Sequence, residues 1–201
     1  FTPAIEVDLC GHATLATAHY LFNEAGSASG EVRFETRSGP LLVAKTGELL
    51  TMDFPARPLK PVAREKEAGA ALGSIPEALF ESANNYLAVF DSEQRVRDLA
   101  PDISAVKALG VHGVIVTAPG EGVDFVSRYF APGAGIDEDP VTGSAHCSLT
   151  PYWVARLDRN PLEAEQVSKR GGRLKCELKG DRVCISGRAV LYARGVIRLP
   201  D

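Results

Sequence analysis

The chain has 201 residues, 45% of them apolar and 24% charged, with a formal net charge of -4. That length buries a proper core and suits one large domain or two small ones. Mild acidity leaves no basic footprint for nucleic acid, and no apolar run nears the roughly 18 residues that span a bilayer. The first eleven residues carry Glu6 and Asp8 without a basic start, unlike a signal peptide. Cys10, Cys147, Cys176 and Cys184 form no CxxC pair. They read as reduced thiols of a cytoplasmic protein, with a Cys176–Cys184 hairpin disulfide as the less favoured alternative. There is no initiator Met, and we expect a missing upstream segment rather than processing.

Small and apolar residues dominate 11–22, which predicts a helix packed on several sides and ending near Gly26. Strand patterns follow at 32–36, 41–45 and 48–54, separated by turn residues, as an antiparallel meander around that helix. Ser74 reads as the N-cap of a short helix reaching Phe80. Residues 86–90 read as a strand, 95–110 hold one or two helical turns restarting at Asp102, and 111–117 and 123–130 read as paired strands. A second helix is expected over 144–157, a short one after Asn160-Pro161, and strands over 171–199 with turns at Gly180-Asp181 and Gly187-Arg188.

The two helices begin alike. Phe1-x-Pro3, Glu6, Gly11, Ala13 and Tyr20 recur as Phe130-x-Pro132, Glu138, Gly143, Ala145 and Tyr152, with three extra residues in the second lead-in. Two copies are too few for a solenoid and suggest a two-lobed α+β molecule with one helix N-terminus per lobe facing a shared cleft. The division expected is 1–90, with the upstream segment missing, and 91–201, its last strands returning to the first lobe.

A helix N-terminus offers free N–H groups and the positive end of the macrodipole, so it suits a carboxylate. Gly11 and Gly143 let a ligand approach the backbone, and Ala13 and Ala145 keep the first turns narrow. His12 is placed to move a proton, and the helix end favours its neutral form. Asp139, within the acidic run 137–139, is the second acid–base candidate, and Ser144 is placed to donate to a substrate carboxylate. Cys10 and His146 are lesser candidates; His19 and His112 read as structural. Metal-ligand spacing, a Walker loop and Gly-x-Gly-x-x-Gly are all lacking, so neither a metal nor another cofactor is expected.

FTPAIEVDLCGHATLATA (residues 1–18), SRYFAPGAGIDEDPVTGSAHCSL (127–149) and ISGRAVLYARGVIRLP (185–200) resemble the PhzF-like family, the phenazine-biosynthesis isomerase and its relatives, which share the diaminopimelate epimerase fold. The resemblance implies two pseudo-repeated lobes, each a curved, mostly antiparallel sheet around a central helix. It implies substrate contacts at His12, Asp139 and Ser144, with N–H groups from Gly11 and Gly143. It also implies cofactor-independent proton movement on a small carboxylic acid, and relatives of the fold are often homodimers. Two departures stand out. Epimerases of this fold use one cysteine before each motif glycine, but here Cys10 is matched by Thr142. The isomerase's acid–base glutamate belongs to a segment upstream of the Phe-x-Pro lead-in, and no residue here is named in its place. The leading expectation is an isomerase or epimerase. The alternatives are a racemase or epimerase using Cys10, and a non-catalytic ligand-binding protein that kept the fold.

Overall fold

The computed structural model describes residues 10–27, 29–37 and 39–196. The first copy's lead-in, with Phe1, Pro3, Glu6 and Asp8, lies outside the described residues, as do 197–201.

Among the described residues seventeen short elements follow in order. Helix α1 (Gly11–Asn23) precedes the meander β1 (Glu31–Thr36), β2 (Gly39–Thr46) and β3 (Leu49–Pro55). Next come β4 (Lys60–Pro61), α2 (Glu65–Leu72), β5 (Ala78–Ser82), β6 (Asn85–Val89), α3 (Glu93–Asp98) and α4 (Ile103–Ala108). Strands β7 (Gly113–Pro119) and β8 (Phe125–Phe130), a 3-10 turn (Pro132–Ala134) and helix α5 (Gly143–Leu157) lead to β9 (Leu162–Gln166), β10 (Gly172–Lys179) and β11 (Arg182–Gly187).

All the strands join one mixed sheet, ordered β1-β2-β3-β11-β10-β9-β8-β7-β6-β5-β4. The class is α+β, but the sheet is not split into two. The closing hairpin causes this: β10 pairs with β9 on one side, and β11 pairs with β3 on the other. Pairing is antiparallel except at β6–β7 and β8–β9.

Burial follows the covering of each face. Strands β6 and β7 are buried on both, and Gly113-Val-Ile-Val-Thr-Ala-Pro119 is accordingly a continuous apolar run. Val114, Val116 and Ala118 pack with α2, α3 and α4, while Ile115 faces the core shared by α1 and α5. Thr117, on that second face, accepts from Trp153 Nε1 at 2.9 Å and donates to the Val126 carbonyl at 2.7 Å. Strand β3, covered on one face, alternates instead, with Leu50, Met52 and Phe54 inward.

Three sequence expectations are corrected. Helix α1 buries Gly11, Ala18 and Phe22 only, while Ala13, Ala16 and Thr17 are exposed, because it lies against β2 and β3 on one face. The helix expected from Ser74 is strand β5, whose Leu79 packs on one side of the sheet and Phe80 on the other. Ser74 caps nothing; its hydroxyl accepts from Arg95 at 2.8 Å. The helix expected after Asn160-Pro161 is strand β9. Asn160 acts as a ladder residue, donating to the Leu178 carbonyl at 2.8 Å and accepting from its N–H at 3.0 Å. Helix α2 has no counterpart in the expectation, although Glu65 and Glu67 in its first turn and left-handed Gly73 (φ 80°) mark both ends.

Candidate active site

Helices α1 and α5 start from residues of nearly the same backbone geometry. Cys10 has φ -133° and ψ 94°, and Thr142 has φ -119° and ψ 95°. Both glycines that follow are buried, and the two helix ends abut. A Cβ placed on Gly11 would lie 3.6 Å from Gly143 Cα, and one on Gly143 3.8 Å from Gly11 Cα. Met52 and Phe54 of β3 lie beneath, 3.7 and 3.8 Å from that hypothetical Gly11 Cβ. The N-terminal ends of the two helices therefore meet, with the positive ends of their dipoles and the first-turn N–H groups, of which that of Ala145 donates to the Thr142 carbonyl at 3.2 Å.

On the α1 side, Cys10 Sγ lies 3.5 Å from His12 Nε2. The contact with His12 lowers the Cys10 thiol below its ordinary value, against the opposing effect of burial. The same contact raises His12, with the Asp139 charge and the Val141 carbonyl acting in that direction too. Where the sequence predicts a neutral His12, these contacts act in the opposite direction, toward the charged form.

Across the junction, the Thr142 hydroxyl donates to Asp139 Oδ2. The Thr142 N–H donates to Gln166 Oε1 at 2.7 Å, and Gln166 Nε2 donates to the Asp139 carbonyl at 2.7 Å and to Thr142 Oγ1 at 3.1 Å. Asp139 N–H donates to the Tyr129 carbonyl at 2.9 Å. Gln166 was not marked by any sequence motif.

A cavity of about 760 Å³ opens beside the junction. His12 and Gly143 form part of its wall, Leu15, Met52 and Val141 supply apolar surface, and Arg173 contributes charge. The structure thus brings Cys10, Gly11, His12, Asp139 and Gly143 together. Ser144 is half-buried on the first turn of α5, outside this wall, and its hydroxyl has no hydrogen-bond partner among the described residues. Ala145 is buried.

His146 does not reach the cleft. It is fully buried, its Nδ1 lies 2.8 Å from the Thr142 carbonyl, and its ring packs on Phe125. Burial pushes it down to about 4. The neighbouring acids also divide. Asp137 is exposed, and Glu138 accepts from Arg128 Nε at 2.7 Å, away from the junction. All four cysteines are free thiols, and burial pushes Cys147 and Cys176 up to about 12. Among the described residues no cluster of ligands suits a metal ion, and no helix is long and apolar enough to cross a membrane.

Comparison with known proteins matches residues 1–195 to the family described as phenazine biosynthesis-like protein, PhzC-PhzF. The chain belongs to that family. An uncharacterized isomerase of Pseudomonas aeruginosa is 51% identical over 199 residues, which make up 99% of this chain and 76% of that protein. A PhzF family structure from Enterococcus faecalis superposes with a TM-score of 0.94 at 48% identity, over 99% of this chain and 76% of that one. The fold alone extends to a probable proline racemase from Agrobacterium radiobacter. That structure gives a TM-score of 0.53 at 13% identity, over 93% of this chain and 67% of the other.

Proposed function

We propose that this PhzF family chain is a cofactor-independent isomerase that moves a proton between carbon atoms of a small carboxylic acid. The observation that carries the reading is the abutment of the two helix starts at Gly11 and Gly143. We read each helix, with its half of the sheet, as one of two pseudo-repeated lobes that share this junction.

In this reading the substrate carboxylate anchors on the converging N–H groups and moves no proton itself. When an acid–base group of the site takes the proton of the adjacent carbon, to return it to another carbon, negative charge flows onto the carboxylate oxygens. The fixed N–H dipoles stabilise that enolate-like anion more than the ground state, which is the differential binding that lowers a barrier. His12, beside the cavity and held toward its charged form, assists as an acid, and Asp139 is its counter-charge across the junction. The name isomerase given to the Pseudomonas relative supports the class of reaction.

The test is incubation of the protein in D2O with a panel of small amino, hydroxy and unsaturated carboxylic acids, read by proton NMR and mass. Deuterium should enter a carbon-bound position of at least one acid. Ligand affinity by calorimetry with no exchange in any acid would instead favour a binding protein.

A second reading has its own observation. Cys10, at the N-cap of α1 and in contact with His12, is suited to act as a base in racemisation or epimerisation. Thr142 stands at the matching position, so a symmetric pair of thiols is not the mechanism. Retained turnover after alkylation of Cys10 would remove this second reading.

A further inference from the structure

Gln166 lies at the end of β9, fully buried, with its amide directed at the turn that opens α5. Its orientation is fixed by its partners. The Thr142 N–H can only donate and so takes Oε1, while the Asp139 carbonyl can only accept and so takes Nε2. Nε2 also donates to Thr142 Oγ1, which occupies a lone pair of that hydroxyl. The hydroxyl proton is thereby left to point at Asp139 Oδ2, as observed.

The connection after β9 completes a mould around the same turn. Ser168 Oγ donates to the Pro140 carbonyl at 2.8 Å and accepts from Gly171 N–H at 3.0 Å. Gly172 leaves room for Val141, since a Cβ there would meet Val141 Cγ2 at 2.4 Å.

We propose that Gln166 is the positioning residue of the site: its amide holds Thr142 and, through it, the Asp139 carboxylate against the Cys10–His12 pair. This inference rests on reading the paired helix starts as the active site. Asp139 acts on both members of that pair, raising Cys10 and raising His12. The groups acting on His12 are Cys10 on its own helix and, across the junction, Asp139 and the Val141 carbonyl; Glu163, Arg173, Lys175 and Arg188 stand farther around the cavity. Release of Asp139 should therefore lower the His12 titration, and Cys10, coupled to His12, should respond as it does when the carboxylate itself is removed.

The experiment uses Gln166→Met and Thr142→Val, both close in volume to the native residues, with Asp139→Asn as the reference. Iodoacetamide labelling of Cys10 is followed against pH by mass spectrometry, and His12 is titrated by NMR. Both variants should follow Asp139→Asn: His12 should titrate lower, and the Cys10 labelling profile should move in the same direction as in that reference. A merely structural role predicts a lower melting temperature with both titrations unchanged. Wild-type titrations in both variants, or shifts opposite to those of Asp139→Asn, overturn the proposal. If Gln166→Met does not fold, Thr142→Val still removes the link between the amide and the carboxylate. Neither readout needs turnover, so failure of the isomerase reading and failure of this one are told apart.

Discussion

The two helix starts share a backbone and their glycine and alanine, and differ in the polar side chains beside them. At α1 the first turn is exposed, and it carries a thiol and an imidazole in contact. At α5 the matching turn is mostly buried, and the polar groups of residues 139–142 that lead into it are tied to β8, β9 and the connection that follows. Duplicated geometry supplies the paired dipoles. Divergent side chains leave a thiol–imidazole pair on one side and a hydrogen-bonded, buried turn on the other, which under the proposed function supply proton chemistry and a rigid anion site. A rigid anion site can be preorganised for developing charge, whereas an acid–base group has to meet the substrate and solvent.

Removing the chemistry from α1 should have the largest effect. His12→Asn keeps a polar first turn but cannot carry a proton at neutral pH. Exchange in D2O should fall about 100- to 1,000-fold, with thermal stability near wild type. Ser144→Ala, at the matching position on α5, should leave the exchange rate at saturation within a fewfold of wild type. Equal losses in the two variants would mean that the division of labour is wrong.

Acid should strike the α5 side. His146 is held down to about 4 in the folded protein, against an ordinary value of 6.5. Below 6.5 the unfolded chain takes up a proton that the folded one refuses, so stability falls as the pH drops toward 4. The loss is on the order of 3 kcal/mol at pH 4 and disappears above about pH 7. His146→Asn keeps a donor for the Thr142 carbonyl and removes the titration. Urea denaturation at pH 7 and pH 4.5 should show a smaller acid loss in the variant than in the wild type.

The same contrast governs what could be read from the sequence. Gly11 and Gly143 were legible because a repeat exposes matched glycines even where neither motif is decisive alone. The meander was legible because β3 alternates, and β7 and β8 because Pro119-Gly120 separates two strand patterns, although β7, read as alternating, is buried on both faces. Strand β9 was not. Leu162-Glu-Ala-Glu-Gln166 is composed of good helix formers, and only pairing with β8 and β10 makes it extended. Gln166 gave no signal because its partner Thr142 lies 24 residues away in the chain. The place of His146 could have been found: it follows Gly143 by three positions and precedes Trp153 by two helical turns, on the buried face of α5.

A smaller effect should follow from filling the junction itself. A methyl on Gly143 has room, with its nearest contact 3.8 Å away at Gly11 Cα. Gly143→Ala should therefore leave the melting temperature unchanged or slightly higher, since alanine favours helix by up to about 1 kcal/mol. The methyl nevertheless stands between the two helix ends. Carboxylate affinity should drop about tenfold without loss of fold. Undiminished affinity in a well-folded variant would place the anion elsewhere.

The smallest functional effect is expected one residue before Asp139. Glu138 accepts from Arg128 at 2.7 and 3.1 Å, and Arg128 also donates to the carbonyls of Val96, Arg97 and Leu99 at 3.1, 3.2 and 2.8 Å. This guanidinium therefore satisfies carbonyls at the end of α3 that the helix leaves without partners. Glu138 holds it in place, and both side chains are mostly buried, at 13% and 23% exposed. Glu138→Gln keeps one acceptor oxygen and loses the charge, which should cost about 1 kcal/mol in urea denaturation. Exchange activity should stay at the wild-type level, because Glu138 faces α3 and not the helix starts. Asp139→Asn should show the reverse, with little change in stability and a clear change at Cys10 and His12. Two adjacent carboxylates would then be separated by experiment into a brace for the fold and a charge for the site.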